Sequence, residues 1–214
     1  MDRQWRYVVL VLVLFVVGCG GSSGSVSVKS TPPRPLVLRN IVFLGDSITQ
    51  LGTYPTVVAT TLGATAVNAG ISGQEISAML ARVDTDVIAQ HPDLCVLFAG
   101  TNDAYFATPA AQFQSNYDAV LRRLKAADIP VVVVTPPHFA TGSDFQDRDL
   151  NTSLVPLVAA IRAEATAYNL TVAEVNNAVI PLNADGEHPT AEGQAAIAQI
   201  VTAAIRTASS TGRY

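Results

Sequence analysis

The chain has 214 residues, 49% of them hydrophobic and 14% charged, with a formal net charge of −4. That length suits one domain with a sizeable core, and that hydrophobic content excludes a disordered chain. The negative balance and the lack of any basic run argue against a nucleic-acid partner.

Residues 1–6 form a short, slightly basic head, and residues 7–17 are an unbroken apolar run. Such a run is too short for a membrane-spanning helix, which needs about 20 residues, but it suits the hydrophobic part of an export signal. It ends in Val16-Val17-Gly18-Cys19, which resembles a bacterial lipobox with Cys19 as the lipidated residue. The expectation is a lipoprotein signal over residues 1–19, so that the protein is exported and held at the cell-envelope membrane by a lipid. The alternative is an ordinary signal cleaved near Gly18 or Gly20, giving a secreted or periplasmic protein. Residues 20–35 are Gly/Ser-rich and then Pro-rich, the composition of a tether. The folded domain is expected over residues 36–210. Cys95, inside an apolar run, reads as a buried free thiol.

Strand and helix signals alternate from there. Apolar, β-branched runs predict strands at 37–44, 64–68, 94–99, 131–135 and 171–175. Helical periodicity links Ile76, Met79, Leu80, Val83 and Val87, then Phe113, Tyr117, Val120 and Leu124. A third pattern runs from Leu150 to Tyr168. It contains Pro156, which a helix tolerates in its first turn, so that helix is expected to start near Ser153. Ile197, Ile200, Val201 and Ala204 mark a last helix with Thr190 as its N-cap. Continuous apolar strands alternating with amphipathic helices mean an α/β domain whose parallel sheet is covered on both faces.

Ligands collect at the C-terminal edge of such a sheet, so the polar residues after each strand form one candidate site. They are Gly45-Asp46-Ser47, then Asn68 to Gly73, then Gly100-Thr101-Asn102-Asp103, and finally Asp185-Gly186-Glu187-His188 before the last helix. In order and spacing these segments resemble the blocks of the SGNH (GDSL-type) serine hydrolases, over about residues 41 to 193. The resemblance implies a three-layer α/β/α sandwich with five parallel strands in flavodoxin-like order.

A serine hydroxyl needs a base to become a nucleophile. Ser47 taken alone reads as a helix N-cap; with the other blocks it reads as that nucleophile. His188 is the candidate base, and Asp185 can accept its ring N–H and fix the tautomer. By the resemblance the oxyanion donors are the backbone N–H groups of Ser47 and Gly73 and the side-chain amide of Asn102. Asp46 and Asp103 read as structural, bonding loop backbone. His91 falls at the wrong edge of the sheet. His138 falls at the correct one but lacks a paired acid, and is expected in the substrate pocket with Tyr54, Tyr105, Phe106, Phe139 and the loop 140–149. There is no His-x₃-His, cysteine cluster or phosphate-cradling loop, so neither metal nor cofactor is expected.

The expected function is hydrolysis of short-chain acyl or acetyl esters through a serine acyl-enzyme. The expected partners are a small-molecule or glycan ester and, through Cys19, the membrane. One alternative is a carbohydrate O-acetylesterase acting on envelope or plant polysaccharide. Another is a silent envelope protein that only binds glycan, which a broken block would signal.

Overall fold

The computed structural model describes residues 36–142, 144–145 and 147–214. The expected signal, the tether and Cys19 lie outside them. In chain order the elements are β1 (Asn40–Gly45), α1 (Ser47–Gln50), α2 (Tyr54–Thr61), β2 (Thr65–Gly70), α3 (Ile76–Asp86), β3 (Leu94–Phe98), α4 (Thr101–Phe106) and α5 (Ala110–Ala126). They continue with β4 (Val131–Val134), β5 (Asp144–Phe145), β6 (Arg148–Asp149), α6 (Leu150–Ala167), β7 (Thr171–Ala173) and α7 (Ala191–Thr211).

Alternation along β1 sets the layers. Ile41 and Phe43 point to one face of the sheet and Val42 and Leu44 to the other, and all four are fully buried. The Ile41 and Phe43 side packs on α2 and α7, through Val58, Ile197, Val201 and Ile205. The Val42 and Leu44 side packs on α3, α5 and α6, through Met79, Val83, Tyr117, Leu124 and Ile161. Strands buried on both faces read as unbroken apolar runs, and such runs located β1, β3 and β4, whereas the edge strand β2 is only partly buried.

The strand order is β2-β1-β3-β4-β7, and every pair in it is parallel. This is the five-stranded, flavodoxin-like sandwich that the sequence predicts. The order reverses between β1 and β3, so the end of β1 lies at the switch point where a crevice opens.

The boundaries differ where local contacts override the pattern. Residues 37–39 precede β1, because pairing begins at Asn40 opposite Thr65 and Val37 is left exposed. The third long helix starts at Leu150, upstream of the expected Ser153. The Asp149 carboxylate caps it, accepting from Asn151 N at 2.9 Å and Thr152 Oγ1 at 2.8 Å. Pro156 therefore lies inside α6, where its missing N–H leaves a helix carbonyl without its usual donor. It faces solvent, the side on which helix carbonyls tilt outward at least cost. Cys95 is a buried free thiol, and burial pushes its pKa up to about 12.

Candidate active site

β1 stops at Gly45 because no other residue fits. A Cβ there would come within 2.1 Å of Thr49 Oγ1 and 3.2 Å of the Phe98 carbonyl. The chain turns at once into α1, whose N-cap is Asp46: its Oδ1 accepts from Ile48 N at 3.0 Å. Ser47 is thus the first helical residue and not the cap. Its hydroxyl is left for other work, in a residue only 5% exposed.

That hydroxyl meets His188. Nε2 lies 2.9 Å from Ser47 Oγ, and Nδ1 lies 3.0 Å from Asp185 Oδ2. A carboxylate only accepts, so Nδ1 carries the hydrogen and Nε2 is free to accept the serine proton. The other carboxylate oxygen, Asp185 Oδ1, accepts from the backbone N–H groups of Glu187 at 3.0 Å and His188 at 2.9 Å. These bonds, Glu187 N–H first, hold the Asp185 pKa below the usual carboxylate range. The loop is pinned by Asn183 N donating to the His188 carbonyl at 2.8 Å, and by an antiparallel bridge between Leu182 and Pro189. Acid and base arrive as one rigid turn, and the Thr190 cap on Gly193 N fixes where α7 takes over.

Two further loops end beside the serine. Gly45 is in register with Gly70, and Leu44 with Leu97, so the residues after β1, β2 and β3 share one edge. Gly73 has φ +76°, which favours glycine, and a Cβ there would meet nothing within 4 Å. The space above its backbone is open to a ligand. At Gly70, by contrast, a Cβ would lie 2.3 Å from Gln50 N, so that glycine serves packing. Asn102, in the first turn of α4, is 5% exposed and donates from Nδ2 to the Gln74 carbonyl at 3.2 Å. One amide hydrogen is spent tying it to the Gly73 loop, and the other remains.

Two buried carboxyls lie beneath. Asp46 and Asp103 are both fully inaccessible, and desolvation by burial pushes each pKa up to about 7. Asp103 accepts from Ile76 N with both oxygens at 3.2 Å, serving the N-terminus of α3 from a neighbouring element. Among the described residues neither Asp46 Oδ2 nor the buried Thr101 hydroxyl has a partner in good hydrogen-bond geometry, yet the Thr101 hydroxyl lies near enough to Asp46 to oppose the upward shift.

The aromatic residues expected in the pocket divide. Tyr54 is not available to a ligand: it is fully buried, packs edge-on against Phe43 at 5.7 Å, and its Oη pairs with Thr49 Oγ1 at 2.8 Å. Tyr54 is the first residue of α2, with Pro55 beside it in the first turn, where a proline is tolerated, and both are buried. Phe139 is 5% exposed and belongs to the α3–α5–α6 core. Tyr105 is half-buried and packs T-shaped against the exposed Phe106 at 5.2 Å. His138 is exposed and lines a cleft with Val179 and Asn183; its Nδ1 is 3.2 Å from Asn151 Oδ1, not from any acid of the Asp185 turn. His91 caps a turn before β3, at the opposite edge of the sheet. Part of the loop 140–149 is the β5–β6 hairpin, tied to α4 by Arg148, whose Nη1 and Nη2 donate to the Ala104 and Tyr105 carbonyls at 3.2 and 2.7 Å.

Two residues that hold the edge in place escaped the sequence reading. Arg82 of α3 donates to the Gly45 carbonyl at 3.0 Å and the Ala69 carbonyl at 2.8 Å, and its Nε donates to Gln74 Oε1 at 2.6 Å. It clamps the ends of β1 and β2 and the Gly73 loop together. Gln194 of α7, 7% exposed, accepts from Tyr54 N at 3.3 Å and donates to the Ile48 carbonyl at 3.4 Å. Each had a signal. Arg82 follows Met79 by one helical turn, and Gln194 precedes Ile197 by one, so both are polar residues on an apolar stripe.

A doubly wound sheet carrying a serine–histidine–carboxylate relay at its switch point defines a class, the α/β/α proteins built for serine chemistry. The sequence profile of the GDSL-like lipase/acylhydrolase family matches residues 43–196, and the chain belongs to that family. A lipase/acylhydrolase from Enterococcus faecalis superposes with a TM-score of 0.71 at 26% identity, covering 79% of this chain and 96% of that one. An acetyl xylan esterase superposes with a TM-score of 0.65 at 27% identity, over 77% and 98%. In sequence, the chain is 28% identical to an acetylxylan esterase from Geobacillus stearothermophilus, over 50% of this chain and 63% of that protein.

Proposed function

We propose that this protein is a carboxylic-ester hydrolase that removes acetyl or other short acyl groups through a Ser47 acyl-enzyme. The observation that carries the reading is the unbroken relay from Asp185 Oδ2 through His188 to Ser47 Oγ, at 3.0 and 2.9 Å. His188 Nε2 takes the hydroxyl proton as Oγ bonds to the ester carbonyl carbon. The oxyanion then meets the N–H groups of Ser47 and Gly73 and the Asn102 amide. As the intermediate collapses, the carbon–alkoxide bond breaks and the Nε2 proton passes to the departing alcohol. Water repeats the sequence on the acyl-enzyme, releasing the acid and restoring Ser47.

Acetylated polysaccharide is the favoured substrate. Two of the relatives similar to this chain at 27% and 28% identity are described as acetylxylan esterases, which supports the reading. The wild type should hydrolyse p-nitrophenyl acetate and acetylated xylo-oligosaccharides. Ser47→Ala should abolish both activities while circular dichroism stays unchanged, and turnover by that variant would overturn the proposal. Binding of the oligosaccharide without turnover by the wild type would favour a silent glycan-binding protein.

The same reading includes a lipid anchor at Cys19, whose setting resembles a lipobox. Among the described residues no helix is long and apolar enough to cross a membrane. Cys19→Ala should move the protein from the membrane fraction to the soluble one. Retention in the membrane fraction would rule the anchor out.

A further inference from the structure

Resting on the ester-hydrolase reading, the geometry points to the cleft between Leu51 and Ala191 as the subsite for the alcohol half of the ester, shaped for a carbohydrate hydroxyl.

The cleft has a volume of about 400 Å³, within the roughly 300–1,000 Å³ of small-molecule pockets. Ser47 and His188 lie in its wall, and so do Pro189, Thr190 and Ala191, the residues that follow the imidazole into α7. Gly73 and Asn102 do not border it. This asymmetry assigns its occupant. Around the tetrahedral carbon, one substituent faces the oxyanion donors and the departing oxygen must face Nε2, which hands it a proton. The group attached to that departing oxygen therefore extends on the imidazole side, into this cleft. The acyl chain takes the remaining direction.

The opposite wall fits a sugar. Leu51 is 71% exposed and offers an apolar lip at the mouth. Thr53, exposed beside it, sits at the N-cap of α2 but makes no side-chain capping bond, so its hydroxyl is available to a ligand. An apolar patch next to free hydroxyl chemistry matches a pyranose, which has apolar ring faces and a polar rim. The floor is fixed, because both atoms of the Gln194 side-chain amide are engaged, Oε1 accepting from Tyr54 N and Nε2 donating to the Ile48 carbonyl. A fixed floor holds the alcohol oxygen near Nε2 without demanding a closing lid.

The test fills the cleft and reads two ratios of kcat/KM. One ratio compares acetylated xylobiose with ethyl acetate, which changes the alcohol at a fixed acyl group. The other compares ethyl acetate with ethyl butyrate, which changes the acyl group at a fixed alcohol. Ala191→Trp should lower the first ratio tenfold or more and move the second less than twofold. Thr53→Trp, from the facing wall, should give the same pattern and serves if the first variant folds poorly. A shift in the second ratio instead would make the cleft an acyl pocket and overturn the assignment, and so would variants in which neither ratio moves. A wild type inactive on every ester would overturn the hydrolase reading itself, together with the subsite that depends on it.

Discussion

The two walls of the site hold the same kind of residue in opposite conditions. On one wall Asp46 and Asp103 are sealed at the starts of α1 and α4, and burial pushes their pKa up to about 7. On the other, the Asp185 side chain is half exposed and receives two backbone N–H bonds and the His188 ring, which lower its pKa. The buried wall is built on strand ends and helix starts, where the backbone is already committed. The open wall is one turn cross-linked to itself. Carboxyl chemistry here is set by solvent access, so one fold keeps one acid ionised to orient a histidine while its neighbours bind protons readily.

The largest effect that could break this contrast is on stability. For Asp46 the folded-state pKa lies above the unfolded value, so the native state holds a proton that the unfolded chain releases. Its contribution is fully present below about pH 4 and is lost as pH rises through about 7. A shift from 3.8 to about 7 corresponds to roughly 4 kcal/mol across that window. Asp185, with its depressed pKa, acts in the opposite sense: its contribution is present at neutral pH and is lost as pH falls. The wild type should therefore unfold at lower urea at pH 8 than at pH 5. Asp46→Asn, which keeps the acceptor for Ile48 N, should remove much of that decline, with Asp103 retaining its own share. Glu187 and His188 from the open loop, Asp103 from α4 and Tyr54 from α2 all face Asp46 electrostatically. None of them changes the sign, which desolvation sets. Matching pH slopes in variant and wild type would show that Asp46 is not the proton carrier.

The sequence disclosed the two walls unequally. The sheet was legible because doubly covered strands are unbroken apolar runs. The positions of Ser47, His188 and Asp185 were legible because short blocks at strand ends keep their order in the chain. What escaped is what depends on three-dimensional neighbours. Tyr54 resembles an aromatic near the serine in sequence, yet one helical turn buries it between Phe43 and Phe98. The helices α1, α2 and α4 were not anticipated, since they are short and lack a long apolar stripe. Arg82 reaches the carbonyls of Gly45 and Ala69, 37 and 13 residues before it in the chain; periodicity marks it as a polar residue on an apolar stripe but carries no record of such partners. The Asp149 cap similarly overrode the position of Pro156.

A smaller, purely kinetic effect sharpens the contrast. Asn102 belongs to the buried wall, and its amide is tied to the Gly73 loop through the Gln74 carbonyl. If it donates to the oxyanion, Asn102→Ala should lower kcat by about 10²–10³, or some 2.7–4 kcal/mol, and leave KM nearly unchanged, because the charge it meets exists only in the transition state. The same change deletes the bond to the Gln74 carbonyl, which should cost stability by only about 1 kcal/mol. Kinetics at 20 °C and urea melts on the same preparation separate the two losses. A loss confined to KM would make Asn102 a substrate-binding residue. A loss of kcat no larger than the stability change accounts for would make it only the tie that holds the Gly73 loop in place.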